Sequence, residues 1–359
     1  MPAETLNLAA DVVDITRAVC DIESVSGNEK ALADAIEQAL RAHSHLEVIR
    51  DADAIVARTN LGRASRVIIA GHIDTVPVAN NLPVELLHME REQVLFGRGT
   101  VDMKAGVAVQ LKLAAELNAP NVDVTWIFYD HEEVDASLNG LGRLSRNHPE
   151  LLTGDFAVLC EPTSALVEGG CNGTMRVELR TRGTKAHSAR PWMGHNAIHD
   201  VADILNRLNG YDTSDIAVDG LVYRESLNAV MISGGIATNV IPDSAVVTVN
   251  YRFAPSRSVA DAEEHLREVF EGIELTVVDA AAGARPGLDQ PAAAAFVAAV
   301  GLEARPKYGW TDVARFSELG IPAVNFGPGD PSKAHADDEA VAVSQIFACE
   351  QALRKWLTS

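Results

Sequence analysis

The chain has 359 residues, of which 47% are hydrophobic and 22% are charged. A chain of this length usually divides into two domains, and its apolar content suits packed cores rather than a disordered chain. The 30 basic and 50 acidic side chains give a formal net charge of −20, with no cluster of Lys and Arg. Because nucleic-acid binding needs a positive surface, this balance argues against a DNA- or RNA-binding protein.

The cysteines do not form a disulfide or metal-binding pattern. They are widely scattered, without CxxC spacing, at Cys20, Cys160, Cys171 and Cys349. The first residues lack the basic segment and apolar run of a signal peptide. No apolar run reaches the ~20 residues that a membrane span requires. We therefore expect a cytoplasmic protein with reduced thiols and no membrane association.

Hydrophobic periodicity predicts alternating helices and strands in the first 172 residues. The expected elements, in chain order, are helices at 8–19 and 29–42, strands at Leu46–Ile49, Ala54–Ala57 and Val67–Ala70, a helix at 104–117, a strand at Val122–Tyr129, a helix near 137–146 and a strand at Phe156–Leu159. Strands that alternate with helices favour a largely parallel sheet with helices on both faces.

The pattern changes near residue 173. Met175, Val177 and Leu179 alternate with polar residues, as in a strand with one buried face. The other elements expected in this region are strands at Ala229–Ser233, 245–253 and 274–278 and helices at about 196–208 and 259–270. Four such strands and two helices are typical of a small α+β module.

The Ala/Gly-rich segment AAAGARPG at 280–287 is interpreted as a linker. The elements expected after it are helices near 290–300, 312–319 and 339–357 and a strand at Ala323–Phe326. We therefore expect an α/β domain with a mostly parallel sheet, formed by residues 1–172 and 285–359. An α+β domain of residues 173–284 is inserted into it, and the two junctions are candidates for a hinge.

Histidines and carboxylates follow several of the predicted strands. They are His72 and Asp74 after the strand at 67–70, Asp102 before the helix at 104, Glu132 and Glu133 after the strand ending at 129, Glu161 after the strand ending at 159, and His335 after the strand at 323–326. Each has an ordinary structural explanation alone, such as a helix N-cap for Asp102. Because loops at the carboxyl ends of parallel strands build active sites, we expect these side chains to converge at one sheet edge.

Together these residues offer two imidazoles and several carboxylates as metal ligands. Such a mixed nitrogen and oxygen set suits zinc, with cobalt or manganese as substitutes, and differs from the Cys-rich set of a structural zinc site. Asp74 is expected to accept the second ring N–H of His72 and to fix that imidazole. Which of the adjacent Glu132 and Glu133 binds metal stays open at this point.

Six motifs resemble those of the metal-dependent aminoacylase/carboxypeptidase family, a family of zinc peptidase-like hydrolases. They span almost the whole chain, in family order: GHIDTVP (71–77), GRGTVDMKAG (97–106), DHEEVD (130–135), LCEPT (159–163), RGTKAHSARP (182–191) and AHADDE (334–339). The resemblance implies a zinc-hydrolase domain with an inserted dimerisation domain of four strands and two helices. It also implies a homodimer that binds two zinc ions and cleaves small N-acyl amino acids.

The motif positions imply a role for each metal ligand. By this resemblance, His72 and Glu161 hold one zinc and Glu133 and His335 hold the other. Asp102 bridges the two ions, and the peptide bond that follows it is implied to be cis.

The resemblance also implies residues that act on the substrate. Glu132 is the general base that takes a proton from the attacking water. His187, in GTKAHS, reaches the partner subunit's site and stabilises the oxyanion. Asn239 in TNVIP, Arg252 in NYRF and Gly309 in YGWTD match substrate-contacting positions. The alternative interpretations are a surface-turn histidine at 187 and a structural ion pair at Arg252.

Within the family, several segments resemble succinyl-diaminopimelate desuccinylases of the actinobacterial type. They are GHIDTVPVANNLP (71–83), LNGLG (138–142), HSARPWMG (187–194) and YGWTDVARFSELGIPAVNFGPGDP (308–331). One departure is Cys171-Asn172-Gly173, because many desuccinylases carry two arginines before this glycine. A carboxylate contact from that position is lost or replaced.

The implied reaction is hydrolysis of N-succinyl-LL-2,6-diaminopimelate to succinate and LL-diaminopimelate, a step of lysine and diaminopimelate biosynthesis. One alternative is acetylornithine deacetylase, or another N-acyl amino acid hydrolase or carboxypeptidase of the same family. An alternative of a different class is a catalytically inactive homologue that binds metal or peptide. The metal ligands serve the chemistry and not the acyl group, so they do not separate these substrates.

Overall fold

The structure, a computed structural model, describes residues 5–89 and 92–359. It divides into two compact units. The first extends to Gly169 and also contains Gly287–Arg305 and Arg315–Ser359, and the second contains Gly170–Pro286 and Pro306–Ala314. The return of the chain to the second unit at 306–314 is not anticipated by the sequence pattern. In the described ranges, no helix is long and apolar enough to cross a membrane.

The strands and helices of the described residues are as follows. The strands are β1 (Glu47–Asp51), β2 (Ala54–Arg58), β3 (Arg66–His72), β4 (Glu85–Met89), β5 (Glu92–Phe96), β6 (Asp123–Tyr129), β7 (Phe156–Leu159), β8 (Val167–Gly169), β9 (Gly173–Arg182), β10 (Ala186–His187), β11 (Asp215–Val218), β12 (Leu221–Arg224), β13 (Ser226–Gly234), β14 (Val240–Ile241), β15 (Ser244–Phe253), β16 (Glu274–Ala281), β17 (Ala304–Pro306), β18 (Ala323–Asn325) and β19 (Ala340–Ala342). The α-helices are α1 (Val12–Asp21), α2 (Lys30–Arg41), α3 (Lys104–Glu116), α4 (Gly140–Asn147), α5 (Ala197–Asn209), α6 (Val259–Val269), α7 (Pro291–Val300), α8 (Val313–Glu318) and α9 (Val343–Thr358).

The first unit is built on a mixed sheet with the strand order β1-β2-β6-β3-β7-β18-β8-β17. Its centre, β6-β3-β7-β18, is parallel, whereas β1, β2 and β6 pair antiparallel at one edge. β1 and β2 are joined directly by residues 52 and 53, a turn too short for a parallel crossover. The predicted fold class is confirmed, with the correction that the edges of the largely parallel sheet are antiparallel.

Alternate residues of the central strands form the core on one face of this sheet. Val67 and Ile69 of β3 and Val124, Trp126 and Phe128 of β6 are at most 4% exposed and belong to one apolar cluster. Helices α1, α2, α3, α7 and α9 contribute to the same cluster, and α3 is buried along almost its whole length. This packing fixes the strand ends that carry the predicted site.

Three helices begin three or four residues later than their periodicity predicts, each for a local reason. α1 begins at Val12 rather than at 8 because Asp11 is its N-cap and accepts the N–H of Val13 at 2.8 Å. α4 begins at Gly140 rather than at 137 because Asn139 is its N-cap and accepts the N–H of Gly142 at 2.9 Å. α9 begins at Val343 rather than at 339 because residues 340–342 form β19. This strand pairs with β5 in a three-stranded sheet, β19-β5-β4, which the sequence pattern did not indicate.

The second unit contains the predicted four-stranded sheet, in the order β13-β15-β9-β16, and its strands pair antiparallel. The alternating Met175, Val177 and Leu179 of β9 are buried and share an apolar cluster with residues of α5 and α6. The expected linker begins later than predicted, because residues 280 and 281 belong to β16 and pair with β9. Two short antiparallel ribbons, β10-β14 and β11-β12, complete the described part of this unit.

Candidate active site

The predicted metal ligands gather at the carboxyl edge of the parallel strands. β3 ends on His72, β6 ends three residues before Glu132, and β7 ends two residues before Glu161. His335 follows β18 in the chain, and Asp102 lies in the loop that begins α3. Because neighbouring parallel strands end at the same edge, the first unit brings these segments together as the sequence predicts.

The possible ligand atoms form two sets that share one carboxylate. Atoms of His72, Asp102 and Glu161 lie within 4.8 Å of one another, as do atoms of Asp102, Glu133 and His335. Oδ1 of Asp102 is 3.1 Å from Nε2 of His72, and its Oδ2 is 3.4 Å from Nε2 of His335. That nitrogen of His335 is also 3.0 Å from Glu133. Such an arrangement can accommodate two cations with a shared ligand.

The charges of the cluster favour a bound cation. Burial opposes protonation of His72, but hydrogen bonds to Asp102 and Asp74 raise its pKa well above the ordinary value. Hydrogen bonds to Asp102 and Glu133 raise the pKa of His335 to about 10. Burial opposes ionisation of Asp102, yet the two imidazoles hold its pKa well below the usual range. A divalent cation between neutral imidazoles would satisfy the same carboxylates, and the nitrogen and oxygen donors fit zinc.

Asp74 is fully buried and contacts several groups besides the His72 imidazole, the one partner predicted from the sequence. Nδ1 of His72 lies 3.0 Å from the backbone carbonyl oxygen of Asp74 and 3.4 Å from its carboxylate Oδ1. The carboxylate accepts the backbone N–H of Glu132 at 3.0 Å and of Glu133 at 3.1 Å. It also accepts the hydroxyl of Ser26 at 2.7 Å. Asp74 therefore fixes both a histidine ring and the backbone of the paired glutamates.

The two glutamates differ in their neighbours. Both are half-buried, and together with His72 they form a third set of possible ligand atoms within 4.8 Å. Glu133 also belongs to the set of Asp102 and His335, whereas Glu132 does not. This difference is consistent with Glu133 as a metal ligand and Glu132 as a group that transfers protons.

The loop of the glutamates depends on residues that the sequence analysis missed. His131 has a φ of 57°, in the left-handed region that non-glycine residues rarely adopt. The buried Glu29 accepts the N–H of His131 at 3.3 Å and that of Gly27 at 2.9 Å. Asp130 accepts two hydrogen bonds from Arg143, at 2.6 and 3.0 Å. In the sequence, Glu29 carries only the signal of a helix start, and no local spacing connects it to His131.

The backbone beside Asp102 is tightly constrained. The Asp102–Met103 peptide is cis, as the family resemblance implies. The sulfur of the buried Met103 accepts the backbone N–H of His72 at 3.3 Å. A Cβ on Gly71 would lie 2.4 Å from Nε2 of Gln110 and 2.5 Å from the terminal methyl carbon of Met103, so a larger residue at 71 would require both side chains to shift.

In the second unit, His187 and Asn239, which were predicted to act on the substrate, lie close together. His187 is an exposed residue of β10, which pairs with β14 so that His187 lies opposite Val240. The N–H of Ser188 donates to the carbonyl oxygen of Asn239 at 2.9 Å. Nδ1 of His187 accepts the N–H of Ala189 at 3.0 Å. His187 and Asn239 therefore share one exposed ribbon, and the Nδ1 contact orients the imidazole.

Arg252 and Gly309 are placed separately in the second unit. Arg252 is half-buried in β15, and its Nε donates to Asn250 at 3.1 Å. Burial and the nearby Arg176 lower its pKa, and the ion pairs of the described residues do not include it. The alternative interpretation of a structural ion pair is therefore not supported. Gly309 is exposed, with no atom within 4 Å of the position that a Cβ would take.

The departure at Cys171 and Asn172 has a structural role within the second unit. Both side chains are buried, at 0% and 1% exposure. The backbone of Cys171 forms an antiparallel β-bridge with that of Ala284. The side-chain amide of Asn172 donates to the carbonyl oxygen of Arg224 at 2.9 Å, and its backbone N–H donates to that of Lys307 at 3.2 Å. These residues join separate chain segments of the second unit, and neither side chain carries the guanidinium that the family resemblance implies at this position.

Comparison with known proteins identifies the family. The profile of peptidase family M20/M25/M40 matches residues 68–359, and the chain belongs to this family. It is 53% identical over 355 residues to a Mycobacterium tuberculosis protein named "Putative succinyl-diaminopimelate desuccinylase DapE", covering 98% of this chain and 99% of that one. It is 46% identical over 364 residues to the succinyl-diaminopimelate desuccinylase of Corynebacterium glutamicum, covering 98% of each. The predicted family is thus confirmed.

Solved structures share the fold over almost the full chain. A tripeptidase from Staphylococcus aureus superposes with a TM-score of 0.79 at 20% identity, covering 99% of this chain and 98% of that one. The YXEP protein of Bacillus subtilis, described as a dinuclear metal-binding peptidase of family M20, gives a TM-score of 0.71 at 17% identity and covers 96% of each. At these identities the likeness establishes the fold alone.

Proposed function

We propose that this chain hydrolyses N-succinyl-LL-2,6-diaminopimelate to succinate and LL-diaminopimelate. The observation that carries the proposal is its 53% and 46% identity, over 98% of the chain, to proteins named succinyl-diaminopimelate desuccinylase. The clustered ligand atoms of the first unit support a metal-dependent hydrolase rather than an inactive homologue.

The two sets of donor atoms are proposed to hold two zinc ions, with cobalt or manganese as substitutes. His72 and Glu161 would hold one ion, Glu133 and His335 the other, and Asp102 both. Ions held by these residues would lower the pKa of a bound water and polarise the amide carbonyl. The dinuclear site of the Bacillus subtilis relative supports this assignment.

The chain's own residues would then move the protons and hold the developing charge. Glu132 accepts the proton of the attacking water and returns a proton to the leaving amine. Asp74 keeps the backbone of Glu132 in place through the 3.0 Å hydrogen bond. His187 donates a hydrogen bond to the oxyanion of the tetrahedral intermediate.

Substrate recognition is proposed to fall to the second unit. Arg252 carries a half-buried guanidinium that donates to the side chain of Asn250 and forms no ion pair with a described residue, which suits a bidentate pair with a substrate carboxylate. Asn239, beside His187, and Gly309 in the YGWTD segment are the other proposed contacts.

We assign dimerisation to the inserted domain of residues 173–284, with a second copy of the chain as partner. β13 is an edge strand of its sheet, and Val230, Met231 and Ile232 on it are 53%, 69% and 60% exposed. Ile198 on α5, which packs against this sheet, is 41% exposed. An unprotected apolar edge strand is a template for pairing, so two copies would join their sheets here. Each His187 would act in the partner's site, in a cytoplasmic homodimer.

A substrate panel tests the proposed reaction. Metal-loaded protein is assayed with N-succinyl-LL-2,6-diaminopimelate, N-acetylornithine and dipeptides, and bound metal is measured on the same sample. The proposal predicts the highest kcat/KM for the succinyl substrate. Preference for N-acetylornithine would establish the rival deacetylase, and no turnover with both metals bound would establish an inactive homologue.

A further inference from the structure

Arg98 and Glu339 form a buried ion pair in the first unit, next to the metal-ligand cluster. Their side chains are 3% and 1% exposed, and Nη1 of Arg98 lies 2.8 Å from Oε2 of Glu339. The two residues are 241 positions apart in the chain. Because a buried pair often fails to recover its desolvation cost, such a pair is weak evidence of stabilisation. The backbone groups to which the two side chains hydrogen-bond offer a better explanation of why the pair is present.

Glu339 fixes the backbone of Asp102, whose carboxylate is the proposed bridging ligand. Its Oε1 accepts the N–H of Val101 at 2.8 Å and that of Asp102 at 3.1 Å. Its backbone carbonyl oxygen accepts the N–H of Gly97 at 2.9 Å. One residue from the last ligand segment therefore sets the position of Asp102.

Arg98 connects the loop of Asp102 to the loops of His72 and His335. Its Nη1 donates to the carbonyl oxygen of Ala336 at 3.1 Å, next to His335. Its Nε donates to the carbonyl oxygen of Pro77 at 3.1 Å, in the loop that follows His72. His335 itself has a φ of 65°, an unfavourable conformation that surrounding contacts must maintain. The planar guanidinium makes these contacts in fixed directions, which an ammonium group does not.

We propose that the Arg98–Glu339 pair is a positioning element that holds the loops of His72, Asp102 and His335 at the spacing two metal ions require. The inference rests on the proposed metal-dependent function and names residues outside the ligand set. Partners of metal ligands orient those ligands, and their loss typically costs about 10- to 100-fold in metal affinity. The pair holds these loops in the metal-free protein too, because its hydrogen bonds to backbone groups need no metal.

The test measures zinc and cobalt affinity of metal-free protein by calorimetric titration and by the visible spectrum of bound cobalt. Glu339→Gln retains an oxygen for Val101 and Asp102 but places an amide against Arg98. Arg98→Lys retains the charge but not the fork of three contacts. Both folded variants are expected to bind metal about 10- to 100-fold more weakly, with an altered cobalt spectrum. Asp338→Asn is the matched control, because Asp338 is 69% exposed and pairs with the exposed Lys333.

A second measurement uses the unaltered protein and so does not depend on the folding of a variant. In metal-free protein the amides of Val101 and Asp102 are expected to exchange hydrogen as slowly as those of α3. Exchange at the rate of an open loop would overturn the proposal, as would a folded Glu339→Gln or Arg98→Lys protein with wild-type metal affinity. If the unaltered protein binds neither zinc nor cobalt, the proposed metal-dependent function itself fails.

Discussion

Replacing Asp74 with asparagine tests how the glutamate loop is held. The buried carboxylate accepts hydrogen bonds from Ser26, Glu132 and Glu133. In Asp74→Asn one oxygen becomes an NH₂ group, which donates and therefore cannot accept. At least one of these donors loses its partner, and the loop of Glu132 and Glu133 must shift.

The size of the effect follows from the pKa of Asp74 and from the lost hydrogen bond. Burial opposes its ionisation, but His72, Ser26 and the N–H of Glu132 lower its pKa from 3.8 to about 2. A shift of this size corresponds to roughly 2 kcal/mol in favour of the folded, ionised form. A buried donor without an acceptor costs about 1–3 kcal/mol. We expect Asp74→Asn to lose about 2–4 kcal/mol of unfolding free energy.

The pH dependence of this loss has a defined sign. Because the folded-state pKa lies below the unfolded value, ionised Asp74 stabilises the fold at every pH above about 4. This contribution disappears as the pH falls through about 2. The difference between Asp74→Asn and the unaltered protein should therefore be constant from pH 5 to pH 8.

Urea unfolding of metal-free protein at pH 5, 7 and 8 measures this difference, and steady-state kinetics of the metal-loaded protein measures its functional consequence. Asp135→Asn is the control, because Asp135 lies in the same loop region, is exposed, and accepts the N–H of its near neighbour Ser137 at 2.9 Å. The reasoning is refuted if Asp74→Asn unfolds within about 0.5 kcal/mol of the unaltered protein, the range of an ordinary surface substitution.

The remaining predictions concern the base, the metal and the dimer. Glu132→Gln should retain both metals and lose about 10²–10⁴-fold in kcat, and near-normal turnover would remove its role as base. Metal affinity should rise with pH between 6 and 9, because binding displaces a proton from His335, whose pKa is raised to about 10; a calorimetric titration without proton release would contradict this. Heterodimers of Glu132→Gln and His187→Ala protomers should regain partial activity, and no recovery would exclude action across the interface. Met231→Lys on the exposed edge of β13 should yield monomers in sedimentation, and an unchanged dimer would place the interface elsewhere.

The sequence was informative where structure follows from local periodicity. β7 is predicted to the residue, and β3, β6 and α3 are predicted within one or two residues, because apolar runs and helical spacing define them directly. His72, Glu161 and the glutamate pair follow these strands immediately, so their convergence could be inferred from the sheet. The cis peptide and the metal-ligand roles came from the family resemblance instead.

The features that escaped prediction depend on contacts between distant parts of the chain. Glu29 supports residue 131, and Glu339 supports Asp102 from 237 positions away. No spacing rule in one sequence connects such pairs. The β4–β5 hairpin was missed for another reason: its residues are mostly exposed and its apolar side chains do not alternate regularly, so the strands carry little periodic signal.

The release of succinate from N-succinyl-LL-2,6-diaminopimelate tests the central claim most directly. Chelator-treated protein is assayed before and after two equivalents of zinc per chain. The two sets of ligand atoms predict negligible turnover without metal and full restoration by zinc. Metal-independent release of succinate, or none after two zinc ions have bound, would contradict the proposal that this chain is a two-zinc desuccinylase.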